Sequence, residues 1–149
     1  MVPIGSERLR REVLRRPVTN QRFVDVFRWS KDAGLLVTAN YMMGLPGETR
    51  DDALETLSLA AELPADDFGY FVFYPYPGTH LFQLCRDRGY LPENYLDLPA
   101  NHRASILDLP DLSRDDIADL YEAFTQLREH LYLDRYGDAE HLRRNAAAG

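Results

Sequence analysis

Two apolar segments, LLVTANYMM (35–43) and FGYFVFYPY (68–76), begin 33 residues apart with a helical pattern between them, and no other feature constrains the fold as tightly. A tight hairpin joins strands through a few residues, whereas a crossover of a dozen or more, carrying a helix, makes them parallel. Here the loop GLPGE (44–48) leads to Thr49, whose hydroxyl can cap the amide of Asp52. Ala53, Leu54, Leu57, Ala60, Ala61 and Leu63 then form an apolar face, and Pro64 to Asp67 end the helix. The expected unit is strand, helix, strand. LLVTANYMM reads as a buried strand, and FGYFVFYPY is too aromatic and continuous to face water on one side.

The flanks continue the alternation. Residues 7–16 place Leu9 and Val13 four apart and stop at Pro17, which predicts a short helix. Thr19 or Asn20 caps a second one, with Phe23, Val26, Phe27, Ser30 and Ala33 on one stripe and Gly34 at its end. After the second strand, Pro75, Pro77 and Gly78 break the ladder, Thr79 caps a helix over 80–88, and Gly89 closes it. Residues 90–112, with Pro92, Pro99 and Pro110, read as an extended connection. Ser113 and Asp116 open a long helix whose inner face is Ile117, Leu120, Tyr121, Phe124, Leu127 and Leu131, and RYGDAEHLRRNAAAG (135–149) reads as a fraying tail.

The fold class expected from these patterns is α/β, parallel strands with crossover helices, followed by an extended connection and a C-terminal helix. The division is 1–90 for the α/β unit and 91–149 for the extension. Composition agrees: 149 residues, 45% hydrophobic and 28% charged, suit a globular unit with one core. No apolar run approaches the ~20 residues of a membrane helix. The start, MVPIGSERLRR, carries no apolar h-region, so cytoplasmic localisation is expected. Net charge is −7, with +4 in residues 1–34, and an acidic chain of this kind is not expected to bind nucleic acid.

The loops GLPGE and YPYPG follow the strands and therefore occupy the edge where parallel α/β folds bind ligands. GLPGET lacks the lysine of a phosphate-binding P-loop, and no G-x-G-x-x-G is present. The histidines, His80, His102, His130 and His141, show no metal-ligand spacing, so no metal site is expected. Cys85, the single cysteine, excludes an internal disulfide and a cluster ligated by this chain alone. It sits beside Leu81 and Leu84 in a helical pattern and reads as a small buried hydrophobe rather than a nucleophile.

The strings GSERLRREVLRRPVT, AGLLVTANYMMGLPGET and FVFYPYPGTHLFQLC, in that order and spacing, resemble the second half of a radical S-adenosylmethionine (radical SAM) enzyme. The resemblance covers residues 5 to about 90 and is strongest toward members with a cobalamin-binding domain, the group of anaerobic magnesium-protoporphyrin monomethyl ester cyclases. It implies that this chain supplies strands four to six of a six-stranded partial barrel. The C-x-x-x-C-x-x-C loop that ligates the [4Fe-4S] cluster in such enzymes has no counterpart here.

What the resemblance implies for cofactors is S-adenosylmethionine at this chain, with a [4Fe-4S] cluster, and cobalamin in the cobalamin-domain members, held elsewhere. Residue by residue, Arg16 matches an arginine that pairs with the SAM carboxylate. Asn40 matches a residue that hydrogen-bonds the ribose. Met42, Met43 and Gly44 match strand-end positions packing on adenine, and Phe73, Tyr74 and Pro75 match those closing the adenine pocket. Glu48 matches the acid of the fifth-strand motif. The family's Gly-x-Glu-Ser-Gly-Ser departs here to Val2-Pro3-Ile4-Gly5-Ser6, which removes its acid. Catalysis by this polypeptide alone is not expected. Its implied partner is a cluster-bearing half, in cis or in trans, or a second copy at the open barrel edge. The competing expectations are a non-catalytic binding or assembly module and a small enzyme using Cys85.

Overall fold

The computed structural model describes residues 3–137; His141 and residues 138–149 of the expected tail lie outside the described residues. The order is α1 (Glu7–Glu12), α2 (Asn20–Asp32), β1 (Thr38–Met43), α3 (Arg50–Glu62), β2 (Asp67–Val72), α4 (His80–Asp87), a 3-10 turn (Tyr95–Asp97) and α5 (Arg114–Tyr136). β1 and β2 pair in parallel with Asn40 opposite Gly69 and Met42 opposite Phe71, and α3 makes the crossover. The architecture is α/β, consistent with part of a β/α barrel.

Local chemistry sets the element ends. Thr19, Thr49, Thr79 and Ser113 each accept from an amide three residues on. Thr49 with Asp52, and Ser113 with Asp116, complete reciprocal capping boxes. α1 is shorter than the 7–16 pattern: Arg15 takes a left-handed conformation (φ 54°) and the Arg16 amide bonds back to the Arg10 carbonyl at 2.7 Å. β1 starts at Thr38, not Leu35. Leu35 and Leu36 are 57% and 87% exposed because nothing pairs with the chain until Val37, whose amide is held by the Asp66 carboxylate at 2.7 Å.

Strand alternation sorts the sheet into two faces. Ala39, Tyr41 and Met43 of β1 are buried, as are Phe68 and Val72 of β2, on the side covered by α3 and α5. Tyr41, Phe68, Tyr70 and Phe124 form an aromatic cluster there, with ring centroids 5.5 to 6.3 Å apart. Such pairs add about 0.5–1.5 kcal/mol each beyond area burial. Asn40, Met42, Gly69 and Phe71 lie on the other face.

α3 is rotated from its expected face. Asp52, Ala53, Thr56, Leu59 and Ala60 are its buried residues, while Leu54 is 38% exposed. The cause is polar: Thr56 Oγ1 accepts the Gly5 amide at 2.9 Å, and Asp52 gathers bonds from residues 6 and 8. Gly5 lies so close that a Cβ there would fall 2.1 Å from the Glu55 carbonyl.

The connection after residue 90 is extended, as expected, and buries Ile106, Leu107, Leu109 and Leu112. It also reaches the outer edge of β2. The Val72 amide donates to the His102 carbonyl at 2.7 Å, and His102 Nδ1 sits 3.2 Å from the Val72 carbonyl oxygen. Among the described residues, no helix is long and apolar enough to cross a membrane.

Candidate functional site

A cavity of about 480 Å³ opens at the carboxyl ends of β1 and β2. Ile4, Val13 and Leu14 wall one side, and Leu81 at the start of α4 another. Four of the residues singled out by the resemblance meet there: Arg16, Met42, Phe73 and Tyr74. The Phe73 amide continues the ladder to the Met43 carbonyl at 2.8 Å, so the strand-end backbone is fixed beneath the cavity.

Arg15, Arg16, His80 and His102 line the cavity and, among the described residues, no carboxylate does, in a chain with seven more acidic than basic residues. Arg15 Nη2 lies 3.5 Å from His80 Nε2, and the Tyr76 hydroxyl lies 3.1 Å from His102 Nε2. Facing a carbonyl oxygen, His102 Nδ1 donates to Val72. An apolar cavity with guanidinium groups at its rim suits a small organic molecule carrying an anionic group.

The other singled-out residues lie outside that lining. Asn40 is on the same sheet face as Met42, exposed and beside Gly69, where a Cβ would stand 2.7 Å from its Oδ1. Met43 points to the opposite face, into the core. Gly44, at φ 79°, turns the chain out of β1 against Val72 and Ile117. Pro75 is buried at the exit of β2. Arg15, Tyr76, His80 and His102 were not singled out from sequence; Arg15 and His80 were within reach as neighbours of Arg16 and Thr79, whereas His102 arrives from a distant segment.

Glu48 lies beneath the GLPGE loop and is 1% exposed. Its Oε2 accepts the Leu45 amide at 2.8 Å and its Oε1 has no hydrogen-bond partner. Burial raises its pKa to about 7, against the opposing pull of the Leu45 and Gly44 amides. Asp52 behaves oppositely. Burial works against its charge, but hydrogen bonds from Ser6, Thr49 and Arg8 prevail and hold its carboxyl below the usual range.

The site residues fit SAM by their chemistry, with an arginine for a carboxylate and a Met and aromatic wall for a flat ring. They do not fit an iron–sulfur cluster. Cys85 is fully buried in α4 with its thiol pushed up by burial to about 11, and among the described residues no group of three or more His, Cys, Asp or Glu could hold a metal ion.

No family model matches the chain. Curated relatives match about half of it. An uncharacterised methyltransferase of Pyrococcus horikoshii is 31% identical over 48% of this chain and 16% of its own length. The tRNA-2-methylthio-N(6)-dimethylallyladenosine synthase of Pelotomaculum thermopropionicum is 36% identical over 52% of this chain and 18% of its own, and that of Thermus thermophilus 31% identical over 58% and 19%. The chain thus spans less than a fifth of the length of these relatives. The matches support a radical SAM relationship at the level of the superfamily. They give no support to the cyclase-like type or to cobalamin.

Proposed function

We propose that this chain forms the adenosine and carboxylate side of a radical SAM site, with the cluster-bearing half supplied by another segment or another chain. The observation that carries the reading is the convergence of Arg16, Met42, Phe73 and Tyr74 on one acid-free cavity at the strand ends. In this reading Arg16 takes the amino-acid carboxylate, Phe73 and Tyr74 flank the adenine, and Asn40 reaches the ribose from the open face. SAM held beside a reduced cluster supplies one-electron cleavage chemistry. The part played by this chain is to bind and orient; activity awaits the partner, and the relatives' tRNA-modifying function is one candidate for the assembled enzyme.

Calorimetric titration with S-adenosylhomocysteine tests the reading. Saturable binding is expected, weakened by about 1.5–3 kcal/mol in Arg16→Ala and about 0.5–1.5 kcal/mol in Asn40→Ala, the ranges for a hydrogen bond to a charged group and for a neutral one. Asn40 makes no hydrogen bond among the described residues, so its variant leaves folding intact. Absence of saturable binding, or unchanged affinity in both variants, defeats the assignment.

A second reading, a non-catalytic assembly module, is favoured by one observation. Among the described residues, nothing hydrogen-bonds the outer backbone edge of β1, and Leu35, Leu36 and Phe71 are exposed nearby in sequence or on the paired strand. A monodisperse dimer with a cooperative melt and no affinity for S-adenosylhomocysteine, read by light scattering and calorimetry, selects it.

A further inference from the structure

A second cavity, about 560 Å³, runs along the outer edge of β2 between residues 100–103 and α5. It meets the first only at His102, which lines both. Its floor is the Gly69–Phe71 stretch, and Tyr121, Thr125 and Arg128 of α5 form the far wall.

Three properties of this groove point to a ligand. The first is charge: Arg103 and Arg128 line it and, among the described residues, no carboxylate does. Arg128 is committed to Asp67, to which it donates from Nε at 2.9 Å and from Nη2 at 2.8 Å. The Arg103 guanidinium makes no hydrogen bond or ion pair among the described residues, although acidic side chains outnumber basic ones by seven. The second is a flat surface: the Phe71 ring is 41% exposed and stands perpendicular to the His102 ring, centroids 6.3 Å apart. The third is free main chain. Val72 spends its outer N–H and C=O on His102, and strand alternation puts those of Tyr70 on the same edge, where nothing among the described residues bonds them. A free guanidinium, an exposed aromatic face and an unpaired strand edge together recognise a planar ring that carries an oxyanion.

We propose that this groove binds a small planar heteroaromatic molecule bearing a phosphate, of the size of a nucleoside monophosphate, with Phe71 under the ring and Arg103 on the phosphate. The site goes beyond the SAM reading and shares only His102 with the first cavity. His102, bonded to both main-chain groups of Val72, holds the 100–103 wall in place, so Arg103 is presented by a fixed segment.

Titration of the full chain with adenosine monophosphate, adenosine and inorganic phosphate, followed by amide chemical shifts, decides it. The expected result is saturable binding of the monophosphate, with adenosine and phosphate each at least tenfold weaker. Arg103→Ala is expected to weaken it tenfold or more and Phe71→Ala severalfold, at unchanged melting temperature, while Arg16→Ala leaves it unaltered. Binding of S-adenosylhomocysteine, in turn, is unchanged in Arg103→Ala, so failure at one site is distinguishable from failure at the other. No saturable monophosphate binding, or binding indifferent to both Arg103→Ala and Phe71→Ala, overturns the proposal. So does loss in Arg16→Ala equal to that in Arg103→Ala, which places the ligand in the first cavity.

Discussion

Leu45 and Glu48 hold each other twice: the Glu48 amide donates to the Leu45 carbonyl at 3.0 Å, and the Leu45 amide donates to Glu48 Oε2 at 2.8 Å. The GLPGE turn is therefore closed by main chain and side chain together, at the mouth of the cavity strands.

Burial of the acid within this turn makes stability depend on pH. Glu48 has its carboxyl raised by burial from 4.5 to about 7, so between those values the unfolded chain has lost a proton that the folded chain keeps. Stability from this group is full below about 4.5 and falls as pH rises to about 7. The cost is about 3 kcal/mol at ~1.4 kcal/mol per pKa unit. Glu48→Gln keeps the bond to Leu45 and does not titrate. Denaturant melts are expected to show the variant more stable than the parent at pH 8 and little different at pH 4; equal stability at pH 8 contradicts the buried-acid account.

Asp52 moves with the opposite sign. Its carboxylate receives the Ser6 hydroxyl, the Arg8 guanidinium and both the amide and hydroxyl of Thr49. Its lowered pKa means stability present above the ordinary carboxylate value of 3.8 and lost as pH falls through the lowered folded one. Asp52→Ala removes a capping box and the tie between the N-terminal segment and α3, costing roughly 2 kcal/mol. The gap between parent and variant should close in acid, as measured by melts at pH 7 and pH 2.

Gly5 admits no side chain. A Cβ would lie 2.1 Å from the Glu55 carbonyl carbon and 2.3 Å from the Thr56 amide, both helix backbone. Gly5→Ala is expected to destabilise by about 3 kcal/mol, the upper range for overpacking, because backbone of α3 cannot swing aside. A thermal melt within a degree of the parent would show that the segment is not seated as described.

Cys85 should be inert. Full burial and a thiol raised to about 11 leave almost no thiolate at neutral pH. Mass spectrometry after iodoacetamide treatment is expected to show no adduct in the folded chain and complete labelling in denaturant; rapid labelling of the folded chain would revive the cysteine-enzyme reading.

The helix caps and the parallel crossover were legible because each rests on chemistry within a few residues: Thr49 with Asp52, Thr79 with Phe82, Ser113 with Asp116. The face of α3 was not. Counting apolar residues favours Leu54 and Ala61, but the helix turns to bury Thr56 and Asp52, whose partners Gly5, Ser6 and Arg8 lie 44 to 51 residues away. The cavity shows the same division. Arg16, Met42, Phe73 and Tyr74 came through the resemblance, while Met43 belongs to the core by the alternation that separates it from Met42. His102 was invisible, since nothing near it in sequence announces that it meets Val72 and Tyr76.

The two hydrogen bonds between His102 and Val72 bear on how this sheet can be extended. Val72, with its N–H and C=O already taken, cannot template a neighbour, so the outer edge of β2 is capped at its C-terminal end while Tyr70 stays open. Among the described residues nothing caps the outer edge of β1 in this way, so a strand laid along the whole of Thr38–Met43 would meet no blocked position.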